Sequence, residues 1–172
     1  MFVRSVADQE ARSPSREGSF EVFFEAHYEV LLRAIYLVTG DRHEAEDLTQ
    51  EAFAKAYERW DRIRETDNPA GYLYRASLNA YRSRLRRIAT AAKRTLSVQA
   101  SDPISDSDER DSIRRALAAL PRVQREAVVL IEWLGMTSEE AGSALGISAN
   151  ATRVRLHRAK QSLRFLIERA PA

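Results

Sequence analysis

Helical periodicity constrains the fold of this chain more than any other feature of its sequence. Among its 172 residues there are only six glycines and five prolines. In the segments between them, apolar residues recur at intervals of three and four, which is the spacing of one helix face. No segment shows the sustained two-residue alternation of a strand. The sequence therefore predicts an all-α fold.

The predicted helices fall into two groups. Three long helices occupy roughly residues 19–39, 41–60 and 70–91, and three or four shorter ones follow residue 110. The stretch between the groups is rich in serine and aspartate and lacks periodicity, which is typical of a flexible linker. We therefore predict four segments: a disordered N-terminal tail (1–18), a helical domain (19–92), a linker (93–110) and a second helical domain (111–169).

Composition excludes several classes of protein. The chain has no cysteine, so disulfides and cysteine-based zinc sites are excluded. No apolar run approaches the ~18 residues of a membrane span, and the first residues lack the apolar stretch of a signal peptide. No Ser-His-Asp set, phosphate-binding loop or cluster of metal ligands is evident. We predict a cytoplasmic protein that is not an enzyme and needs no cofactor.

Charge is segregated along the chain. The net charge is only +2, yet no acidic residue lies between Asp67 and Asp102, an interval that contains seven arginines and lysines. Such segregation favours a polyanionic partner for the basic segments. The arginines of the third helix lie among aromatic residues, a combination that suits unstacked single-stranded nucleic acid. The alternative is that Trp60 and Tyr72 belong to the core.

The segment TSEEAGSALGISANATRVRLHRA has the pattern of a helix-turn-helix. A short helix with a hydroxyl cap is followed by Gly146, which suits a tight turn with left-handed backbone. In the last helix, one face carries Arg153, His157, Lys160 and Arg164. We predict that this face enters a DNA major groove, and the alternative is a solvated basic face. His157 has no neighbours that would complete a metal site.

The second helix carries acids opposite its apolar stripe. Asp47 and Glu51 lie one turn apart, and like charges at this spacing are mildly unfavourable in an isolated helix. The pair makes sense if a basic partner docks there. From these residues alone, a solvated face is the favoured interpretation.

Three segments together resemble a known family. DRHEAEDLTQEAFAKAYERW, NPAGYLYRASLNAYRSRLRR and ALPRVQREAVVLIEWLGMTSEEAGSALGISANATRVRLHRAKQSLR resemble, in this order, a bacterial RNA polymerase sigma factor of the extracytoplasmic-function group (ECF, group IV). The resemblance extends over nearly the whole chain. It implies a bundle like sigma region 2 and a helix-turn-helix domain like sigma region 4, joined by a flexible linker.

The resemblance also implies a function for each group of candidate residues. The protein would be a promoter-specificity subunit that binds core RNA polymerase, recognises the minus-35 and minus-10 elements and promotes DNA melting. The residues expected to bind the clamp helices of the largest polymerase subunit are Asp47, Gln50 and Glu51. Those expected at the minus-10 element are Trp60, Thr66, Asp67, Asn68, Tyr72, Arg75, Asn79 and Arg82. Those expected at the minus-35 element are Arg153, Val154, His157, Arg158 and Lys160.

Further partners implied by the family are the flap of the second-largest polymerase subunit and an anti-sigma factor. The sequence departs from the family pattern at Tyr72, where tryptophan is usual, and at Ala151, where glycine is common before the threonine. These departures concern the promoter sequence rather than the class of protein. The alternative function is a helix-turn-helix regulator that acts as a dimer on a palindromic site without replacing sigma.

Overall fold

The computed structural model describes residues 19–92 and 108–168, and within these residues the chain forms helices and short turns without a strand. The all-α prediction is confirmed. The predicted tail and residues 93–107 of the predicted linker lie outside the described residues. The helices are α1 (Phe20–Thr39), α2 (Arg42–Glu58), α3 (Trp60–Ile63), α4 (Pro69–Ala92), α5 (Asp108–Ala118), α6 (Arg122–Val128), α7 (Ser138–Leu145) and α8 (Ala149–Glu168), and a π-helical turn (Val129–Trp133) extends α6.

The long helices begin and end at local signals in the sequence. The Ser19 hydroxyl accepts a hydrogen bond from the Val22 amide at 3.3 Å, and the Asp41 carboxylate accepts one from the Glu44 amide at 2.9 Å. Each side chain thereby satisfies an amide that lacks a partner within its helix. Gly40, with φ 73°, ends α1 in the left-handed conformation that glycine adopts without a steric penalty.

Three details differ from the predicted helices. The second helix ends at Glu58 because Arg59, with φ −123° and ψ 17°, leaves the helical conformation, and the separate turn α3 follows. Helix α5 begins at Asp108, three residues before the predicted start. The π-helical turn after α6 has no signature in the apolar spacing, because one wider turn alters that spacing only slightly.

Each half of the chain buries its own apolar faces. In the first half, α1, α2 and α4 pack together around Leu31, Leu48, Leu73 and Leu78, which are at most 1% exposed. Burying one such side chain contributes about 1.5–3 kcal/mol. In the second half the buried residues include Leu130 together with the alanines Ala127, Ala141, Ala144 and Ala159. Alanines let α6, α7 and α8 approach one another closely.

The two halves are in direct contact, which the sequence did not predict. Helix α4 packs against α7, and α1 packs against α5 and the π-helical turn. The Arg125 guanidinium donates to the backbone carbonyl of Val38 in α1 at 2.9 Å, and also to the carbonyls of Ala118 and Leu120 at 3.0 and 3.2 Å. One arginine therefore closes the end of α5 and ties it to the first half.

The turn between α7 and α8 gives a test of the helix-turn-helix geometry. Gly146 has φ 69°, and a Cβ there would meet nothing within 4 Å, so only backbone strain opposes substitution. We expect Gly146→Ala to lower the free energy of unfolding by about 1–2 kcal/mol, and Gly146→Asn to lower it by less, because asparagine tolerates left-handed backbone. Urea unfolding followed by circular dichroism measures both values. Equal losses in the two variants would contradict the assignment of the effect to backbone conformation.

Candidate nucleic-acid interface

The acids predicted to bind core polymerase lie together on the outer face of α2. Asp47 is 66% exposed in its side chain and Glu51 is 36% exposed, and Gln50 is also exposed. The apolar residues of the same helix, among them Leu48 and Ala52, are buried against α1 and α4. We call Asp47, Gln50 and Glu51 the docking face.

The docking face is held by cations of the same chain. Arg84 of α4 places one guanidinium nitrogen 3.2 Å from Glu44 and 3.7 Å from Asp47, and the other 3.0 Å from Glu51. The Lys55 ammonium lies 2.7 Å from Glu51. The hydrogen bond from Lys55 is the main reason that the pKa of Glu51 is lowered. Burial opposes this shift, and the contacts with Arg84 add to the lowering. The repulsion expected between Asp47 and Glu51 is therefore offset within the fold.

Two arginines of α4 have acidic partners that the sequence analysis did not predict. Arg84 pairs with α2, and Arg82 pairs with Glu126 of α6 at 2.7 Å. Both partners are more than 30 residues away in the sequence, so inspection of the neighbouring residues could not reveal them. Among the described arginines of this stretch, Arg75, Arg86 and Arg87 are exposed.

The predicted minus-10 residues of α4 share one face. Tyr72, Arg75, Asn79 and Arg82 are spaced by three, four and three residues, which brings them onto the same side of the helix. We call these four residues the minus-10 face. At the start of the helix, the Asn68 carbonyl oxygen caps α4 by accepting from the Gly71 amide at 2.7 Å, and the Thr66 hydroxyl donates to the Ile63 carbonyl at 2.7 Å. Thr66, Asp67 and Asn68 are exposed in this turn.

Trp60 lies in an aromatic cluster rather than on the minus-10 face. Its ring centroid lies 4.7 Å from that of Phe23 and 5.5 Å from that of Phe20, and the ring is half-buried. This environment agrees with the alternative that Trp60 belongs partly to the core. Tyr74 is also a core residue, since it is 5% exposed and burial raises its pKa to about 12.

The helix-turn-helix forms as predicted, with α7 and α8 as its two helices. The Thr137 hydroxyl accepts from the Glu140 amide and the Glu140 carboxylate accepts from the Thr137 amide, a reciprocal capping box. The Ser148 hydroxyl caps α8 by accepting from the Ala151 amide at 3.1 Å. A Cβ on Gly142 would lie 2.8 Å from the Ile147 carbonyl oxygen, so the two helices approach too closely for any larger residue there. Sequence reasoning missed this glycine.

The predicted minus-35 residues are all exposed on α8. Thr152 and Ala159, on the opposite side of the helix, are fully buried and hold α8 against the rest of the half. The exposed residues are Arg153, Val154, His157, Arg158 and Lys160, which we call the minus-35 face. Arg153 lies 3.3 Å from Glu139, and Lys160 lies 2.8 Å from Glu132. Exposed pairs of this kind contribute only about 0–1 kcal/mol, so neither cation is held firmly by its acidic partner.

Glu126 is the charged residue that sequence reasoning missed entirely. Its side chain is 1% exposed, and its two carboxylate oxygens accept from Arg82 at 2.7 Å and from Arg122 at 3.1 Å. A fully buried carboxylate requires such partners, because desolvation otherwise penalises its charge heavily. The one available signal was its place four residues after Arg122, on a helix face that also carries Val123 and Val129.

Two other kinds of site were sought in the part of the chain that the structure describes. No group of three or more histidine, cysteine, aspartate or glutamate side chains is arranged to hold a metal ion. Among the same residues, no helix is long and apolar enough to cross a membrane. His157 is exposed on α8, where the minus-35 prediction placed it.

Family models match both halves of the chain in order. The model described as Sigma-70 region 2 matches residues 23–90, and the model described as Sigma-70, region 4 matches residues 110–163. Region 2 therefore corresponds to the half that carries the docking face and the minus-10 face. Region 4 corresponds to the half that carries the helix-turn-helix.

Similar proteins from other bacteria support this assignment. The chain is 32% identical over 159 residues to the ECF RNA polymerase sigma factor SigE of Mycolicibacterium smegmatis, with 85% of this chain and 60% of that protein covered. It is 32% identical over 151 residues to the RNA polymerase sigma-E factor of Streptomyces coelicolor, with 84% of each chain covered. The sigma factor RpoE of Bartonella quintana, crystallised with the anti-sigma factor NepR, has a similar fold, with a TM-score of 0.75. The two sequences are 23% identical, and the match covers 88% of this chain and 98% of that one.

These matches do not favour the alternative of a dimeric helix-turn-helix regulator. A regulator of that kind shares the region 4 motif but not a preceding region 2, and here both are matched in one chain. The resemblance to sigma factors is therefore confirmed, and the role is one in transcription initiation rather than enzymatic catalysis. The chain belongs to the extracytoplasmic-function group of RNA polymerase sigma factors, the promoter-specificity subunits of bacterial transcription.

Proposed function

We propose that this sigma factor divides promoter recognition among the docking face, the minus-10 face and the minus-35 face. Residues 19–92 would bind core polymerase and the minus-10 element, and residues 111–169 would bind the minus-35 element, with 1–18 and 93–110 outside the two domains. One observation carries the proposal: side chains predicted separately for each role fall on a common helix face in α2, α4 and α8.

The charge of the docking face suits a basic surface on the clamp helices of the largest polymerase subunit. Three carboxylates, those of Glu44, Asp47 and Glu51, surround the cations Arg84 and Lys55. These five side chains carry three negative and two positive charges, so their total charge of −1 would attract a basic partner surface. Because Arg84 and Lys55 already orient Glu51, docking would cost little side-chain entropy. Close charge pairs across such an interface contribute a few kcal/mol, on the order of 1.5–7 kcal/mol.

The minus-10 face and the turn before α4 carry side chains that can bind the phosphates and unpaired bases of melted DNA. Arg75 and Arg82 supply guanidinium groups for phosphate or for base edges, and Tyr72 supplies a half-exposed ring. Stacking of an unpaired base on a ring is worth about 1–3 kcal/mol. The exposed turn of Thr66, Asp67 and Asn68 lies directly before α4, where it could receive a base that has left the duplex.

The minus-35 face suits direct reading in the major groove. Arg153 and Val154 lie in the first turns of α8, the part of a recognition helix that meets base edges. An arginine there can donate two hydrogen bonds to one guanine, and the exposed methyl groups of Val154 suit the methyl of thymine. His157, Arg158 and Lys160 follow along the helix and would meet phosphates and neighbouring bases.

Two further partners and a location belong to the same proposal. The flap of the second-largest polymerase subunit would bind the region 4 half, and an anti-sigma factor would hold the protein inactive. The Bartonella quintana sigma factor of similar fold was crystallised with an anti-sigma factor, which supports a partner of this kind here. The protein would act in the cytoplasm, where core polymerase transcribes.

A reversal of charge tests the docking face. We expect Asp47→Lys with Glu51→Lys to abolish association with core polymerase, because the partner surface then meets cations. The charge-neutral pair Asp47→Asn with Glu51→Gln should weaken association by at least tenfold, which corresponds to about 1.4 kcal/mol. Co-purification and fluorescence titration with core polymerase measure both effects.

A matched control for this experiment exists on α1. Glu25→Lys with Glu29→Lys makes the same charge change at the same four-residue spacing, on residues that are exposed and outside the docking face. It should leave core association unchanged. Wild-type association of the Asp47 and Glu51 variants, with circular dichroism showing an intact fold, would refute the docking assignment.

Substitution of Arg153 tests base reading by α8. We expect Arg153→Ala, in the holoenzyme, to relax sequence preference at one or two base pairs and to cost about 1–3 kcal/mol. Arg164 lies farther along the helix on the same face, so Arg164→Ala should weaken binding evenly across sequences. Selection from a duplex library randomised in the minus-35 region, followed by sequencing, measures both. A uniform loss of affinity in both variants would remove the base-reading role of Arg153.

A further inference from the structure

Asn150 lies at the beginning of the exposed side of α8. Successive residues of an α-helix are turned by about 100°, so Asn150, Val154 and His157 follow one stripe along the helix. Thr152 and Ala159, on the opposite side, are fully buried. Asn150 is therefore exposed in line with two residues of the minus-35 face and directed away from the packed side of the helix.

The helix does not need this asparagine for its own stability. The Ser148 hydroxyl already satisfies an amide of the first turn, that of Ala151 at 3.1 Å. Asparagine is a weaker helix former than alanine, and alanine stands on both sides of it, as Ala149 and Ala151. Neither capping nor helix propensity therefore accounts for an asparagine at this position.

The side-chain amide of Asn150 is unused within the fold. Among the residues that the structure describes, it has no hydrogen-bond partner. Asn68, another exposed asparagine, shows the contrast. Its amide oxygen accepts from the Gly71 amide at 2.7 Å, and its amide nitrogen donates to the Glu140 carboxylate at 3.3 Å. Asn150 thus keeps both a donor and an acceptor for a ligand.

A side-chain amide at this position matches one base in particular. Adenine presents an acceptor, N7, beside a donor, the N6 amino group, at its major-groove edge, and asparagine can bind both at once. Guanine presents two acceptors there, and cytosine and thymine each present a single hydrogen-bonding group. The first turns of a recognition helix are also the part that reaches base edges.

We propose that Asn150 is a specificity-determining residue that binds an adenine of the minus-35 element through both groups of its amide. This inference rests on the minus-35 role proposed for α8 and adds a residue to it. Asn150 and Val154 are one turn apart, about 5.4 Å along the helix. Base pairs are stacked about 3.4 Å apart, so the adenine lies one or two base pairs from the base that Val154 contacts.

Substitution at position 150 changes the base preference in a defined way. In the holoenzyme, Asn150→Ala should lose the preference for adenine at one base pair and bind the best wild-type site about tenfold more weakly. Asn150→Asp has the same shape but offers only acceptors, so it should prefer cytosine, whose N4 amino group is a donor. The added charge weakens binding to every duplex, which makes the base preference the informative measurement. A merely structural role for Asn150 would not exchange one base for another.

The preferences are measured by selection from duplexes randomised in the minus-35 region, followed by sequencing, and the affinities by fluorescence titration with the selected duplex. Gln161→Ala is the matched control. Gln161 carries the same amide and is exposed on the same stripe, but it lies about 16 Å farther along α8. It should leave every base preference unchanged. Circular dichroism should show unchanged helix content in Asn150→Ala, because alanine favours the helix.

The outcomes separate this inference from the proposed function. Unchanged base preferences in both Asn150 variants, with a minus-35 motif still selected by the wild type, would overturn the role of Asn150 and leave that of α8 intact. A weaker preference at every base pair in Asn150→Ala, rather than at one, would show that Asn150 positions the helix and would overturn base reading. A wild type that selects no minus-35 motif would overturn both proposals.

Discussion

The ion pair between Arg82 and Glu126 is the interaction on which the arrangement of the two halves depends. It lies where α4 meets α6 and α7, and its carboxylate is almost completely removed from water. A buried carboxylate is costly unless its partners are well placed, and here one partner comes from each half of the chain. Arg125, which ties α5 to α1 through backbone carbonyls, reinforces the same arrangement. The contact between the halves thus combines specific polar pairs with apolar packing, since the buried apolar residues of both halves form one hydrophobic cluster.

The pairing of Arg82 is one of several contacts by which the fold assigns the arginines of α4 to different partners. The basic stretch that begins after Asp67 would suit nucleic acid along its whole length if it were an isolated helix. In the folded chain its arginines face different partners: Arg75 and Arg82 meet the helix-turn-helix half, and Arg84 meets the acids of α2. Exposed Arg86 and Arg87 lie farther along α4. The packing of α4 between two neighbours therefore divides one run of positive charge into surfaces with separate roles.

Much of the architecture could be predicted because it depends on neighbouring residues. Apolar spacing located α1, α2 and α4, and their ends depend on local signals, since a cap such as Asp41 binds an amide only three residues away. Gly146 was identified at the turn because few other residues adopt its left-handed backbone. The π-helical turn, the short α3 and the steric demand at Gly142 were not predicted, because they reflect how helices cross rather than how one helix is composed.

The sequence by itself determined the helical class, the positions of the long helices, the helix-turn-helix and, through its resemblance to a family, membership of the sigma factors. It also identified which polar faces merit a functional role, because periodicity places residues on a face without knowledge of the neighbours. Only the tertiary structure decided which charges meet. The partners of Arg84 lie 33 to 40 residues away in the sequence and that of Arg82 lies 44 away. Pairing over such separations depends on the crossing of whole helices, and no local spacing of residues encodes it.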